Sequence, residues 1–247
     1  MAEAGARVTL PQGVSLERVA QVLMDAWDSD PRGWHASPAQ LREDSAAPTL
    51  PTPRDALVLF KVLHEAHLDY LLVGGIAMLT YVQGRNTKDV DLLISAADAR
   101  NIPELHIQEE NEFFATGQFR TIRVDLLLTR NPLFEAVARS FATSHRFAEL
   151  TVPAATVEGL IILKLYALPS LYRQLDWDRI YIQEGDIKQL LARYRPSTDG
   201  LLDFLKPHMI ESDVAELRRF LVEAAERIAA AERAANQISG TDPSEIS

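Results

Sequence analysis

The sequence predicts an α+β fold, a strand-bearing half followed by a helical half, and three observations carry it. Short runs of strand formers, DYLLV, DVDLLI and IRVDLLL, fall between residues 69 and 128. After Asn131-Pro132 the apolar residues instead recur at helical spacing over longer segments. The chain has 247 residues, 47% hydrophobic and 24% charged, an ordinary globular composition that can bury a sizeable core.

Taken in order, SLERVAQVLMDAW (15–27) places Leu16, Val19, Val22 and Leu23 on one helical face behind Ser15 as N-cap. From Asp28 to Pro53 the chain turns to Pro, Ser, Asp and Ala without periodicity, which reads as a linker. Residues 1–53 therefore form an N-terminal helix and linker, 54–130 the core, and 131–247 a mainly helical region that completes the site. Residues 54–67 have helical spacing through Leu57, Phe60, Val62 and Leu63, and DYLLV is a short buried strand stopped at Gly74-Gly75. IAMLTYVQG follows as a short helix, then the strands Asp89–Ile94 and Ile122–Leu128 with short strand-like pieces and turns between them. Helices are expected at 133–143, 156–168, 186–195 and 212–236, the last with Val214, Leu217, Leu221, Ala225 and Ile228 as its docking stripe.

Composition excludes several functions. Without cysteine there are no disulfides, no thiolate zinc sites and no thiol nucleophile. The formal charge of −10 disfavours a grip on nucleic acid by the whole molecule, so any RNA contact must be local. Lys188, Arg193 and Arg195 offer one local basic surface, with a solvated helix face as the alternative. The N-terminus lacks a basic start followed by an apolar run, and no stretch of about 18 apolar residues occurs, so a soluble, cytoplasmic chain with no membrane contact is expected.

The stretch YLLVGGIAMLTYVQGRNTKDVDLLI (70–94) carries the chemistry. Strand alternation points Asp89 and Asp91 to one face and Val90 and Leu92 to the other, so two carboxylates stand side by side. Like charges this close need a cation or donors, and a divalent metal is the simplest compensation. Asp125 repeats the pattern beside Arg123 and Leu127; if the two strands are neighbours, three carboxylates converge. Hard oxygen ligands of this kind suit Mg²⁺, with Mn²⁺ as the alternative ion, and leave coordination positions for substrate phosphates. Gly74-Gly75, between strand and helix, lets a phosphate approach the backbone, although alone such a pair is more often just a tight turn.

The run GG-x-A, then GR-x-T-x-D-x-D, then a downstream V-D, resembles the polymerase-β-like nucleotidyltransferase superfamily, and more narrowly the AbiEii/MenT-type toxin-associated nucleotidyltransferases, over residues 54–195. The resemblance implies a small mixed nucleotidyltransferase sheet flanked by helices, Asp89, Asp91 and Asp125 as catalytic metal ligands, and an NTP, ATP among the candidates, as donor substrate. It implies nucleotide contacts from Gly74, Gly75, Arg85, Thr87, Lys164 and Asp186, with Lys164 also catalytic. TVPAATVEGLIILKLYALPSLYR is similar to a family segment in which a strand ending in Val-Pro leads, through Thr156 as N-cap, to the helix of Lys164. By itself Lys164 is the lone charge between Glu158 and Arg173 in a nearly all-apolar helix, so it must snorkel, pair with an acid, or face an anion. Asp186 opens DIKQLLARYR, where a helix N-cap role is the alternative, and Gln183 stands where the family pattern often has an acid. Arg85 either contacts triphosphate or pairs with Asp91 or Asp125, and Arg123 with Asp125 reads as a structural ion pair.

The expected activity is Mg-dependent transfer of an NMP from an NTP to a hydroxyl, which the resemblance extends to the 3′ end of tRNA in a toxin–antitoxin system with a separate antitoxin partner. The alternatives are a protein or small-molecule acceptor at the same donor site, and a non-catalytic nucleotide-binding module.

Overall fold

The structure is a computed structural model and describes Arg18 and residues 53–82, 87, 89–147 and 150–239. Apart from Arg18, which is helical, the expected helix at 15–27 lies outside the described residues, as do the linker up to residue 52, Arg85 and Lys88. The chain divides into two compact units, one ending at Leu160 and the other beginning at Ile161.

The first unit holds α1 (Pro53–Glu65), β1 (Tyr70–Val73), α2 (Gly74–Met78), β2 (Asp89–Ile94), α3 (Ala96–Arg100), β3 (Leu105–Glu110), β4 (Phe114–Phe119), β5 (Ile122–Leu128), α4 (Pro132–Ser140), β6 (Ala142–Phe147) and β7 (Leu150–Ala155). Among the described residues the strands make one seven-stranded sheet in the order β3-β4-β5-β2-β1-β7-β6. It is mixed: β2 with β5 and β1 with β7 are parallel, the other neighbours antiparallel. The expected α+β class is therefore what the chain adopts. α1 buries Ala56, Leu59, Phe60 and Leu63, and Phe60 meets Phe147 of β6 with ring centroids 5.3 Å apart.

Two strands follow Pro132, in the half expected to be helical. β6 and β7 form an antiparallel hairpin from Ala142↔Ala155 to Phe147↔Leu150. Val152-Pro153 does not end the strand, which runs on to Ala155. Proline gives no ladder N–H and reads as a breaker, but Val152, Ala154 and Ala155 are fully buried, and that packing sets the strand.

The hairpin also carries a buried titratable group. The Tyr81 hydroxyl donates to the Ala155 carbonyl at 2.9 Å and so accepts from Nε2–H of His145, also at 2.9 Å. Burial holds the His145 pKa below its ordinary 6.5. Between the lowered folded value and 6.5 the unfolded chain binds more protons, so stability is complete above about 6.5 and falls as pH drops below it. Thermal melts of wild type between pH 7.5 and 5.5 should show Tm falling by a few degrees, with the slope reduced in a His145→Gln variant.

α5 (Val157–Gln174) begins in the first unit and continues into the second. Thr156 is its N-cap, its Oγ1 accepting from the Gly159 N–H at 3.3 Å. The second unit adds α6 (Trp177–Tyr194), α7 (Thr198–Leu205), a 3-10 turn at Lys206–His208, and α8 (Glu211–Ser239). α5 passes through Pro169 instead of ending before it; buried Leu168 and Leu171 on either side offset the lost backbone bond. Asp186 does not open a helix, because α6 starts nine residues earlier behind Asp176, whose Oδ1 accepts from the Arg179 N–H at 3.3 Å. Gly185, just before Asp186, lies inside α6, where a helix interior tolerates glycine at about 1 kcal/mol. On α8 the buried stripe is Val214, Leu217, Leu221 and Ala224, while Ala225 is exposed. Among the described residues no helix is long and apolar enough to cross a membrane.

Candidate functional site

The first unit gathers its acids through strand register. β2 and β5 run parallel with Asp89 opposite Arg123 and Asp91 opposite Asp125. Because residues opposite each other share a face, Asp89, Asp91, Arg123 and Asp125 project from one side, while Val90, Leu92, Val124 and Leu126 fill the buried side. One carboxylate oxygen from each of Asp89, Asp91 and Asp125 lies within 4.8 Å of the other two, the one such group of three among the described residues. All three are half-buried. Three hard oxygen donors at this spacing fit a Mg²⁺ or Mn²⁺ ion.

The β4–β5 turn sets that register. Arg120 takes a left-handed conformation, φ 52°, and the Thr121 hydroxyl donates to Asp55 of α1 at 2.6 Å. Arg120 forks onto Glu104 through Nε at 2.8 Å and Nη2 at 3.1 Å. The turn is thus tied to α1 and to the loop before β3, and β5 starts at a fixed residue.

Gly74 and Gly75 close the other side. Val73 lies opposite Asp91, so the chain turns out of β1 directly against that acid. Gly74 has φ +62°, and a Cβ there would sit 1.8 Å from Asp91 Oδ2. A Cβ on Gly75 would meet Thr87 Oγ1 at 2.3 Å. The space beside the glycines is therefore filled by two side chains of the site itself. The Gly75 N–H donates to Asp91 Oδ2 at 3.2 Å, and the Thr87 hydroxyl, buried, donates to Asp89 Oδ1 at 2.9 Å. Gly74→Ala combines a left-handed backbone, about 1–2 kcal/mol unfavourable for a residue with a Cβ, with a clash that displaces Asp91. Urea unfolding should show a loss of at least that size, and Mn²⁺ binding should weaken in parallel.

Charges in the cluster are partly compensated. Arg123 Nε donates to Asp125 Oδ1 at 2.8 Å. Burial pushes the Asp125 carboxyl above its ordinary range, the Arg123 hydrogen bond opposes that shift, and the Asp89 charge adds to it.

In the second unit Lys164 Nζ donates to Asp186 Oδ2 at 2.7 Å and to Gln183 Oε1 at 3.0 Å. The two charged side chains are 8% and 4% exposed. Of the three outcomes open to Lys164, pairing with an acid is the one seen, and the acid is Asp186, placed one turn beyond Gln183 on α6. Gln183 as a partner was legible only as a departure from the family pattern. The basic trio is matched by acids and rings: Lys188 binds Glu184 at 2.6 Å, Arg195 binds Glu232, and Arg193 lies 5.8 Å from the Tyr194 ring centroid. A solvated helix face describes it better than an RNA surface.

No family model matches the sequence, and no curated protein matches it. Among solved structures the chain is similar to an antigenic nucleotidyltransferase-like protein from Paracoccidioides brasiliensis, at 16% identity and TM-score 0.49, covering 70% of this chain and 88% of that one. It is also similar to the antibiotic-resistance factor ANT(2'')-Ia, at 16% identity and TM-score 0.43, covering 74% of this chain and 97% of that one.

Proposed function

We propose that the chain is a metal-dependent nucleotidyltransferase that moves an NMP from an NTP to an acceptor hydroxyl. One observation carries this reading: three carboxylates from two parallel strands, in register and within 4.8 Å of one another, stand against a glycine bend. A divalent ion bound there supplies charge neutralisation at the reacting α-phosphate and a template for in-line attack. Asp89, Asp91 and Asp125 hold the ion. Thr87 fixes the Asp89 carboxylate through its hydroxyl, and the Gly75 N–H fixes Asp91. Such catalysis is mostly positioning and electrostatic stabilisation, which a rigid strand pair provides.

The nucleotide contacts assigned to Gly74, Gly75, Arg85, Thr87, Lys164 and Asp186 belong to the same proposal. The finer reading, tRNA 3′ ends as acceptor and an antitoxin as partner, rests on the sequence resemblance to toxin-associated enzymes. Incubating the protein with each α-labelled NTP, Mg²⁺, total tRNA and cell extract tests both levels. Label in tRNA supports the finer reading, label in protein or a small molecule replaces its acceptor, and no label transfer under any of these conditions refutes the activity.

A further inference from the structure

Resting on that reading, we propose that Arg123 is the carboxylate cluster's own counter-cation, competing with a divalent ion for Asp125 and lowering the affinity of the site for free metal. The register places Arg123 directly opposite Asp89 and two residues before Asp125 on the same face of β5. Its Nε is already bonded to Asp125 Oδ1 at 2.8 Å, so one oxygen of the third ligand is engaged. The side chain is 46% exposed, and among the described residues Asp125 is its one ion-pair partner. Among the described residues no other acid therefore draws the guanidinium away from the cluster. A guanidinium does not lose its charge at any working pH, and the attraction it feels comes from Asp125, Asp89 and Asp91 together.

A residue that merely orients a metal ligand and a residue that replaces the metal's charge differ in sign. Loss of an orienting partner weakens metal binding, commonly 10–100-fold. Loss of a counter-cation strengthens it, because a divalent ion among these oxygens no longer faces a fixed positive charge a few ångströms away. Arg123 bonds only one edge of Asp125, while the strand backbone on both sides already fixes where that acid stands, which favours the second role.

The test is Mn²⁺ binding to the full chain without nucleotide, followed by calorimetry or by the EPR signal of free Mn²⁺, with thermal melts to verify folding. Arg123→Met should bind Mn²⁺ roughly tenfold tighter than wild type. Arg123→Lys, which keeps the charge, should stay near wild type, and Arg123→Gln replaces the methionine variant if that one does not fold. Unchanged or weaker Mn²⁺ binding in the neutral variant overturns the proposal while leaving the metal site standing. Equal Mn²⁺ binding by wild type and Asp91→Asn, or none by either, shows that the cluster is not the ion site, and then the underlying reading falls with the proposal.

Discussion

Asp91→Ala should lower the rate of NMP transfer by about 10³-fold or more, while shifting folding stability by no more than about 1 kcal/mol. Asp91 is the central acid of the three: it lies opposite Asp125 across the parallel pair and opposite Val73 at the end of β1. Removing it takes away one ligand and the acceptor for the Gly75 N–H. The lost interaction is made where charge develops, so kcat falls with the specificity constant. The fold tolerates the change because Asp91 is half-buried and repels two neighbouring acids, so its loss also relieves strain between like charges. Initial rates with labelled NTP, compared with a urea melt of the same sample, check both halves. A variant with wild-type rates would remove Asp91 from the reaction.

The largest effect on stability should come from Lys164→Met, about 3–5 kcal/mol of destabilisation. The ammonium lies 2.7 Å from Asp186 with both side chains under a tenth exposed, so deleting the cation leaves a carboxylate buried without its neutralising ion. Lys164→Met with Asp186→Leu should recover most of the loss, because replacing a whole buried pair by apolar residues is often neutral or favourable. Chemical denaturation of the two single variants and the double variant gives the coupling directly. If the singles and the double lose equal amounts, the pair is not the source of the effect.

The strands that carry the acids were legible in the sequence: Asp89–Ile94 and Ile122–Leu128 have the bounds read from their runs of strand formers. The common face of Asp89 and Asp91, and of Arg123 and Asp125, followed from the alternation of side chains along a strand. That β2 and β5 are neighbours was not legible. Parallel pairing joins segments separated by a long crossover, and no local pattern encodes it. Of the β6–β7 hairpin only a strand ending at Val152-Pro153 was expected, from the resemblance; Ser144, His145 and Arg146 dilute β6, and Pro153 hides the run of β7 on to Ala155. Asp186 was expected to open a helix at 186–195, whereas α6 begins at Trp177, so Asp186 sits within a helix, paired with Lys164. Propensity describes what a residue favours alone; at Pro153 and Pro169 tertiary packing decided otherwise.

The tethered turn before β5 gives the cluster an all-or-none character under mutation. Shifting β5 by a single position would swing Asp125 into the hydrophobic interior and bring Val124 and Leu126 out to water, because alternate residues belong to opposite faces. An insertion or deletion near Arg120-Thr121 therefore cannot trade a little geometry for a little function: it forfeits folding together with the acids. Diversification of the chain should accumulate elsewhere, and loop-length variants at that hairpin should be recovered as insoluble protein and not as weakened enzymes.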